Sequence, residues 1–148
     1  MNLTQKYATD GHSPWLFELY AELLREPIEA QWGWDDEFQK ECFKKNLPAS
    51  KFHLYFINSS IAAASYVNNE LDHLYIKMLL VPKLYQRQGV GRKVIVQLQE
   101  QAIQQHKSIK LSVIKANPVL SFYTELGFEV INVSNDSFHL EYFNKGPI

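Results

Sequence analysis

The segment Gln86-Arg87-Gln88-Gly89-Val90-Gly91 has the residue types and spacing of an anion-binding loop. It follows an apolar, strand-like run and precedes a helical pattern that begins at Val90. Glycines at alternate positions let the backbone approach a ligand closely. Free N–H groups at the start of the helix favour negative charge there, and Arg87, Arg92 and Lys93 add positive charges. The segment therefore predicts a site for a phosphate-bearing ligand.

Two other kinds of phosphate loop fit this segment less well. A mononucleotide P-loop ends in Gly-Lys-Ser/Thr, whereas this one ends in Gly91-Arg92-Lys93. A dinucleotide fingerprint needs a third glycine where Val94 stands and an acidic residue about 20 residues later, and the sequence has neither. The remaining alternative is a glycine-rich helix start that binds nothing, so the neighbouring segments must decide.

Length and composition predict a single domain over residues 1–148, because a chain of this length can bury one sizeable core. No apolar run approaches the ~20 residues of a membrane span, and the first residues lack the apolar core of a secretory signal. We therefore expect a cytoplasmic protein that does not enter a membrane. The single cysteine, Cys42, shares an apolar stripe with Phe38 and Phe43, which favours a buried structural thiol.

Charge is distributed unevenly along the chain. Residues 1–50 hold nine acids and five bases, whereas residues 82–115 hold one acid and seven bases. The basic excess coincides with the glycine-rich loop and favours a small polyanionic ligand. Nucleic acid is a poorer match, because the net charge is -1 and no recognised nucleic-acid-reading motif occurs. The five histidines show no paired ligand spacing, so we predict no metal site.

The hydrophobic pattern predicts an edge strand over Leu3 to Ala8 and then two helices. The first helix should take Ser13 as its N-cap and end at Pro27. The second should begin near Asp35, turn its apolar stripe inward and stop before Pro48. Trp32 and Trp34 lie in the loop between the two helices.

Beyond residue 50 the pattern changes mainly to strands. Strands are expected over 52–56, 61–67, 71–81, 109–113, 128–133 and 138–143, with helices from Val90 to about His106 and from Asn117-Pro118 to Gly127. Tight turns at Asn58-Ser59 and Asn68-Asn69 would make the first three of these strands an antiparallel meander. The strand-helix-strand unit around the glycine-rich loop should place its two strands parallel to each other.

Four motifs in this order resemble the GNAT superfamily of acyl-CoA-dependent N-acetyltransferases. They are Gln86-x-x-Gly89-x-Gly91, Leu111-Ser112-Val113, Asn117-Pro118 and Phe122-Tyr123-x-x-Leu126-Gly127-Phe128. Each motif alone is common, and their order and spacing make the match specific. In one departure, Pro82 lies four residues before Gln86 where such proteins usually have three, which a bulge or a longer turn would absorb.

The resemblance implies an α+β fold, an α/β sandwich with a mixed, mostly antiparallel central sheet of about seven strands and helices on both faces. Its fourth and fifth strands would be parallel and splay apart, leaving a cleft for the pantetheine arm of acetyl-CoA. The residues that the resemblance assigns to the cofactor are Leu79, Leu80, Val81, Arg87, Gln88, Gly89, Val90, Gly91, Arg92, Asn117 and Tyr123.

The resemblance also implies transfer of an acetyl group from acetyl-CoA to a primary amine by direct attack. Tyr123 matches the family's usual tyrosine acid, which would give a proton to the departing thiolate, although its ring could instead only pack. Asn117 could cap the following helix, contact the cofactor, or do both. No general base is evident in the sequence. The alternative is a non-catalytic acyl-CoA sensor or interaction domain of the same fold.

The acceptor is expected to be a small molecule or a peptide that carries an amine. Trp32 and Trp34 could form a cation-binding wall or could anchor their loop by hydrophobic packing. Glu18, Glu22 and Asp35 are candidate acceptor ligands or bases, and each could equally be a solvated surface carboxylate. Exposed edges of the sheet would also allow a homodimer.

Overall fold

Seven strands form one sheet in the computed structural model, which describes residues 2–144. In chain order the strands are β1 (Thr4–Tyr7), β2 (His53–Ile57), β3 (Ser60–Asn69), β4 (His73–Leu80), β5 (Ser108–Ile114), β6 (Glu129–Val133) and β7 (Ser137–Tyr142). Their order across the sheet is β1-β2-β3-β4-β5-β7-β6. Strands β1 and β2, β2 and β3, β5 and β7, and β6 and β7 pair antiparallel, whereas β4 and β5 pair parallel. The predicted mixed, mostly antiparallel sheet of about seven strands is confirmed.

Four α-helices accompany the sheet in the described part of the chain. They are α1 (Ser13–Trp32), α2 (Asp36–Asn46), α3 (Val90–Gln105) and α4 (Leu120–Glu125). Helix α3 connects β4 to β5, which is the crossover that two parallel neighbouring strands need. Among residues 2–144, no helix has the length and apolar character to cross a membrane.

The parallel pairing of β4 with β5 is short. It runs from His73 opposite Ser108 to Tyr75 opposite Lys110. Strand β4 then continues to Leu80 and β5 to Ile114. The chain leaves the end of β4 toward the glycine-rich loop, so this strand sets where the loop begins.

The chain forms two compact units, of which the first contains residues up to Tyr66 together with Met78–Gly91. Its core consists of the apolar face of α1 and inward residues of α2 and the strands. Buried members are Leu16, Phe17, Leu19, Phe43, Phe52, Leu54, Ala64, Tyr66 and Leu80. This core fixes the positions of α1, α2 and the end of β4.

The second unit contains Val67–Lys77 and the chain from Arg92 onward. Strand β5 alternates strictly, with Ile109, Leu111 and Val113 buried and the residues between them more exposed. Buried residues at helical spacing on α3 include Val94, Ile95, Leu98 and Ala102. Gln99 of α3 donates a hydrogen bond to the carbonyl of Leu126, at 2.7 Å, which fixes the chain just after α4.

Helix α1 does not end at Pro27, contrary to the sequence prediction. It continues to Trp32 and closes where the Gly33 N–H donates to the Glu29 carbonyl at 2.9 Å. A proline inside a helix removes one hydrogen bond and costs about 3 kcal/mol. Pro27 and Ile28 are both buried here, and burial of side chains of this size gives a stabilisation of about 1.5–3 kcal/mol each. Tertiary packing therefore outweighs the local preference.

Two other predictions for the helices are wrong. Ser13 is the first residue of α1 rather than its N-cap, because a 3-10 turn over Asp10–His12 runs directly into the helix. On α2 only Phe43 is fully buried, whereas Cys42 is half-buried and the Phe38 side chain is 62% exposed. The apolar stripe of α2 is therefore narrower than its sequence indicates.

The predicted turn at Asn68-Asn69 is also displaced. Strand β3 includes both asparagines, and the chain reverses over the next residues, where the Glu70 N–H donates to the His73 carbonyl at 2.9 Å. The turn at Asn58-Ser59 lies where it was predicted, and Asn58 has a positive φ of 55°. Asparagine tolerates that conformation better than most residues.

Gly127, which follows α4, should tolerate substitution poorly. Its φ is 95°, and an added Cβ would lie 3.4 Å from the Tyr142 ring. Gly127→Ala should lower the free energy of unfolding by about 1–2 kcal/mol, measured by urea denaturation. Gly11→Ala is the control, because that position has no positive φ and only an ordinary contact with Thr9. Gly11→Ala should change the free energy of unfolding by less than about 1 kcal/mol. Equal losses of stability in the two variants would show that the positive φ and the Tyr142 contact do not limit replacement of Gly127.

Candidate active site

The loop between β4 and α3 begins with a short 3-10 turn over Lys83–Tyr85. This turn accommodates the extra residue between Pro82 and Gln86. Two glutamine side chains then hold the loop against its own beginning. Gln86 Nε2 donates to the Val81 carbonyl at 2.9 Å, and Gln88 Nε2 donates to the Leu84 carbonyl at 2.7 Å.

Positive φ values occur at alternate residues of the loop backbone. Arg87 has a φ of 62° and Gly89 a φ of 83°, and Gln88 between them is not among the positive-φ residues of the described chain. Backbone in which the sign of φ alternates can turn successive N–H groups toward one side, which is how many anion sites are formed. A Cβ built on Gly89 would meet no atom within 4 Å, so the space beside this glycine is open.

Helix α3 begins directly at this loop. Val90 is 1% exposed and anchors the first turn of the helix, which extends for 16 residues. The N-terminal end of such a helix carries a partial positive charge of about half a unit. The side chains of Arg87 and Arg92 are exposed on either side of this start, and Lys93 is half-buried. Backbone, helix dipole and side chains therefore all favour an anion at the loop.

The three residues before Pro82 lie at the end of β4. Leu80 is 1% exposed and belongs to the core, whereas Leu79 and Val81 are half-buried. The Val81 carbonyl already accepts the hydrogen bond from Gln86. Any pairing of this segment with an extended ligand would use main-chain groups, since the side chains are aliphatic.

Tyr123 lies in α4, and its side chain is 9% exposed. Its ring makes edge contacts with Phe122, at 5.0 Å between centroids, and with Phe128, at 5.6 Å. Burial disfavours the phenolate and raises the pKa of the Tyr123 hydroxyl to about 12. The hydroxyl therefore stays protonated through the physiological range, as a hydrogen-bond donor must.

Asn117 does not cap α4, contrary to one of its predicted roles. The helix begins at Leu120 and its N-cap is Val119, without a side-chain cap bond. Asn117 is half-buried in the preceding turn, where its N–H donates to the Ile114 carbonyl at 3.0 Å. A four-residue turn at the end of β5 thus intervenes before the helix, so the Asn-Pro pair marks the turn rather than the helix start.

A groove of about 500 Å³ runs between α1 and α2 in the first unit. Its lining includes both predicted carboxylates of α1, Glu18 and Glu22, and also Asp36 of α2. Two bases, Arg25 and Lys40, line it as well, and Phe17 contributes apolar surface. The groove therefore carries three acids and two bases beside an aromatic ring.

The two tryptophans differ in their surroundings. Trp34 is half-buried, lies 6.1 Å from the Tyr20 ring between centroids, and has the Arg25 guanidinium 5.7 Å from its centroid. Its ring therefore already contacts a cation of the chain itself. Trp32, at the end of α1, is 56% exposed. Asp35 is the N-cap of α2, where its carboxylate accepts from the Phe38 N–H at 3.0 Å.

Sequence reasoning missed part of this groove. Asp36, Arg25 and Lys40 were not among the predicted site residues, and only the crossing of α1 and α2 brings Asp36 and Lys40 beside Glu18 and Glu22. Helical spacing could have linked Glu18, Glu22 and Arg25 within α1, but it gives no information on a second helix. Among residues 2–144, no three His, Cys, Asp or Glu side chains are grouped as metal ligands.

The chain belongs to the GNAT acetyltransferase family. A family model described as an acetyltransferase (GNAT) domain matches residues 24–143, which include the loop, β4, β5 and α4. No curated protein matches the chain. The matched span includes the loop of residues 86–91.

Solved structures show the same fold. The PaiA N-acetyltransferase from Thermoplasma acidophilum, in complex with coenzyme A, has a TM-score of 0.77 at 15% identity, over 97% of this chain and 99% of that one. The ribosomal-protein-S18-alanine N-acetyltransferase from Escherichia coli has a TM-score of 0.66 at 18% identity, with coverage of 95% and 92%. Arabidopsis thaliana Naa50, in complex with the bisubstrate analogue CoA-Ac-MVNAL, has a TM-score of 0.65 at 18% identity, with coverage of 95% and 98%.

The buried hydroxyl of Tyr123 should make folding stability sensitive to alkaline pH. Because its folded pKa of about 12 exceeds the ordinary value of 10, the stabilisation is complete below pH 10 and is lost as pH rises through 12. Wild type should lose up to about 3 kcal/mol more than Tyr123→Phe across this window. Urea denaturation at successive pH values measures this difference. If the free energies of unfolding of the two proteins changed in parallel with pH, the raised pKa of Tyr123 would be contradicted.

Proposed function

We propose that this protein transfers an acetyl group from acetyl-CoA to a primary amine of a small molecule or peptide. The loop geometry carries this proposal, because positive φ values at Arg87 and Gly89 shape an anion site at the start of α3. Membership in the GNAT acetyltransferase family supports acetyl-CoA as the anionic ligand. Two structures with this fold are complexes with coenzyme A and with a coenzyme A-peptide analogue, which supports the same ligand class.

The residues of the loop fit a diphosphate. The open space beside Gly89 admits a close approach of phosphate oxygens to the backbone, which a side chain at that position would prevent. Main-chain N–H groups from Arg87 to Arg92 would donate to these oxygens, and the two arginine side chains would balance the charge. Leu79, Leu80, Val81 and Asn117 are the further cofactor contacts that we propose.

Tyr123 would act on the departing sulfur. Acetyl-CoA supplies the activated acetyl thioester when it is bound. An ordinary thiol titrates near 8.5, well below the pKa of about 12 of Tyr123. The hydroxyl is therefore the weaker acid of the two, so its hydrogen bond stabilises the developing thiolate, and the proton reaches the sulfur only as water resupplies Tyr123.

The groove between α1 and α2 is our candidate for the acceptor. Glu18, Glu22 and Asp36 offer carboxylates to a cationic amine, and Phe17 offers an aromatic surface. Arg25 and Lys40 would pair with a carboxylate or carbonyl of the same molecule. This mixture favours an acceptor with both signs of charge, such as a peptide, over a purely cationic one. Exposed Trp32 and the Trp34-Asp35 segment would border the acceptor.

Gly89→Ala should weaken acetyl-CoA binding about tenfold or more, because a methyl group would enter the diphosphate site. Gly33→Ala is a closely matched control. Gly33 has a φ of 85° against 83° for Gly89, and a Cβ at either position meets no atom within 4 Å. Both variants should therefore lose about 1 kcal/mol of stability from backbone strain.

Isothermal titration calorimetry with acetyl-CoA measures the affinities, and urea denaturation measures the stabilities. Only Gly89→Ala should lose affinity. If the two variants bound acetyl-CoA equally well, the loop of residues 86–91 would not be the diphosphate site.

Turnover is tested by the free thiol released from acetyl-CoA across a panel of peptides, polyamines and neutral amines. Wild type should release thiol with at least one amine, and Tyr123→Phe should lower kcat at least tenfold while leaving acetyl-CoA affinity within about twofold. Tyr142→Phe is the matched control, because the Tyr142 ring also packs on Phe128, at 5.5 Å, as Tyr123 does.

Two results would contradict this proposal in different ways. Tight acetyl-CoA binding without turnover on any amine would identify the protein as a non-catalytic acyl-CoA sensor. Equal kcat values for wild type and Tyr123→Phe would remove this residue from the mechanism while leaving the reaction in place.

A further inference from the structure

The turn that follows α4 closes on the main chain of Tyr123. The Phe128 N–H donates to the Tyr123 carbonyl at 3.1 Å, and the Gly127 N–H donates to the Thr124 carbonyl at 3.1 Å. Together with the positive φ of 95° at Gly127, these two bonds form a Schellman motif, a common way for a helix to end. The Leu126 N–H also donates to the Tyr123 carbonyl, at 3.0 Å. The position of this turn therefore sets the position of the Tyr123 main chain.

The side chains repeat this connection. A Schellman motif often includes an apolar contact between the residue after its glycine and the residue whose carbonyl that residue binds. Here the contact joins the rings of Phe128 and Tyr123, at 5.6 Å between centroids. Phe128 is buried, and its ring lies 5.5 Å from that of Tyr142 on β7. Any displacement of the turn would therefore move the Tyr123 ring as well.

Gln99 attaches this turn to α3. Its Nε2 donates to the Leu126 carbonyl at 2.7 Å, near the short limit for such a bond. Leu126 is the C-cap of α4, so its carbonyl is one of those that the helix cannot pair internally. Thr124 Oγ1 also bonds a carbonyl, but its acceptor, Ser121, belongs to α4 itself. The Gln99 amide thus gives the turn a polar attachment to a second helix.

The helix that carries Gln99 is better fixed than the helix that it holds. Helix α3 has 16 residues, whereas α4 has six. On α3, Ile95, Leu98 and Ala102 are buried within about one turn of Gln99. A helix as short as α4 has little stability of its own, so its contacts decide its orientation. Gln99 therefore transmits the position of a well-packed element to α4, and both ends of its bond lie in the second compact unit.

The orientation of α4 matters for Tyr123 because its proposed role is to donate a hydrogen bond. A donor must come within about 2.6–3.2 Å of its acceptor, and a misplacement of about 1 Å can cost on the order of 100-fold in rate. The hydroxyl lies at the far end of the ring, so a rotation of α4 moves it further than it moves the main chain. A bond that fixes the end of this helix can therefore affect the rate without touching the reacting atoms.

We infer that Gln99 is a positioning residue for Tyr123. Through the Leu126 carbonyl it holds α4 in the orientation in which the Tyr123 hydroxyl meets the departing sulfur. This inference rests on the proposed acetyl transfer, with Tyr123 as the hydrogen-bond donor. Gln99 itself exchanges no proton with either substrate and acts only through the main chain of the α4 turn.

The test measures kcat and KM with one acceptor amine of the panel. Gln99→Met keeps the approximate length and helix propensity of glutamine but has no donor, and it should lower kcat at least about fivefold. Acetyl-CoA affinity and the KM of the amine should stay within about twofold, because neither depends on the Tyr123 hydroxyl. Gln99→Lys, which keeps an N–H donor, should restore kcat to within about threefold of wild type. Gln104→Met is the matched control, because Gln104 is exposed on the same helix, and it should leave kcat within about twofold.

A double-mutant cycle separates positioning from a general structural role. In a Tyr123→Phe background, Gln99→Met should lower kcat by less than about twofold more, because the hydroxyl that Gln99 positions is already gone. A merely structural loss would lower kcat equally in both backgrounds. Thermal unfolding midpoints, measured in parallel, should stay within a few degrees of wild type.

The outcomes separate this inference from the proposed function. If wild type and Gln99→Met have equal kcat values while Tyr123→Phe is slower, this inference alone is overturned. Equal losses from Gln99→Met in both backgrounds, or a Gln99→Lys variant as slow as Gln99→Met, would also overturn it. A wild type without turnover on any amine would overturn the proposed function and this inference together. Equal kcat values for wild type and Tyr123→Phe would remove both Tyr123 and Gln99 from the mechanism.

Discussion

The conformation of a few peptide groups in the loop directly before α3 is the constraint on which the proposed chemistry depends. Arg87 and Gly89 have positive φ values just where α3 begins, and backbone of this kind can direct successive N–H groups toward one side. A positive φ at a non-glycine residue such as Arg87 costs about 1 kcal/mol and persists only when its surroundings hold it. The Gln86 and Gln88 amides, which are bonded to earlier carbonyls, and the buried Val90 provide that support.

The rest of the structure serves to hold this loop and to add reactive groups. The functional side chains of the proposed reaction are positioned by helices: Tyr123 by α4 and Glu18 by α1. Burial then changes the pKa of Tyr123. The same apolar contacts that fix the Tyr123 ring raise the pKa of its hydroxyl, which therefore keeps its proton to a higher pH than an ordinary tyrosine does. The position of the Tyr123 ring and the raised pKa of its hydroxyl therefore have the same cause, which is burial among apolar side chains.

Local patterns predicted most of the elements. Alternating apolar and polar residues predicted β5, and the helical spacing of Val90, Val94 and Leu98 predicted α3. The GNAT-like motifs predicted the fold and the family, which are both confirmed. The errors arose where packing outweighs a local rule. Pro27 stays within α1 because it is buried, and Phe38 stays exposed although it lies on an apolar stripe. A single helix or strand carries no information about what will cover it.

The sequence alone predicted the glycine-rich loop and its place before α3, because glycines, cations and a helix start within a few residues are a local property. It also placed Tyr123 in a family motif. Only the tertiary structure decided which distant polar groups meet: Asp36 joins Glu18 and Glu22 across two helices, and His139 joins Ser112 across two strands. The physical reason is register. A shift of one residue in the β5–β7 pairing would turn either side chain to the opposite face, and no short-range pattern fixes that alignment.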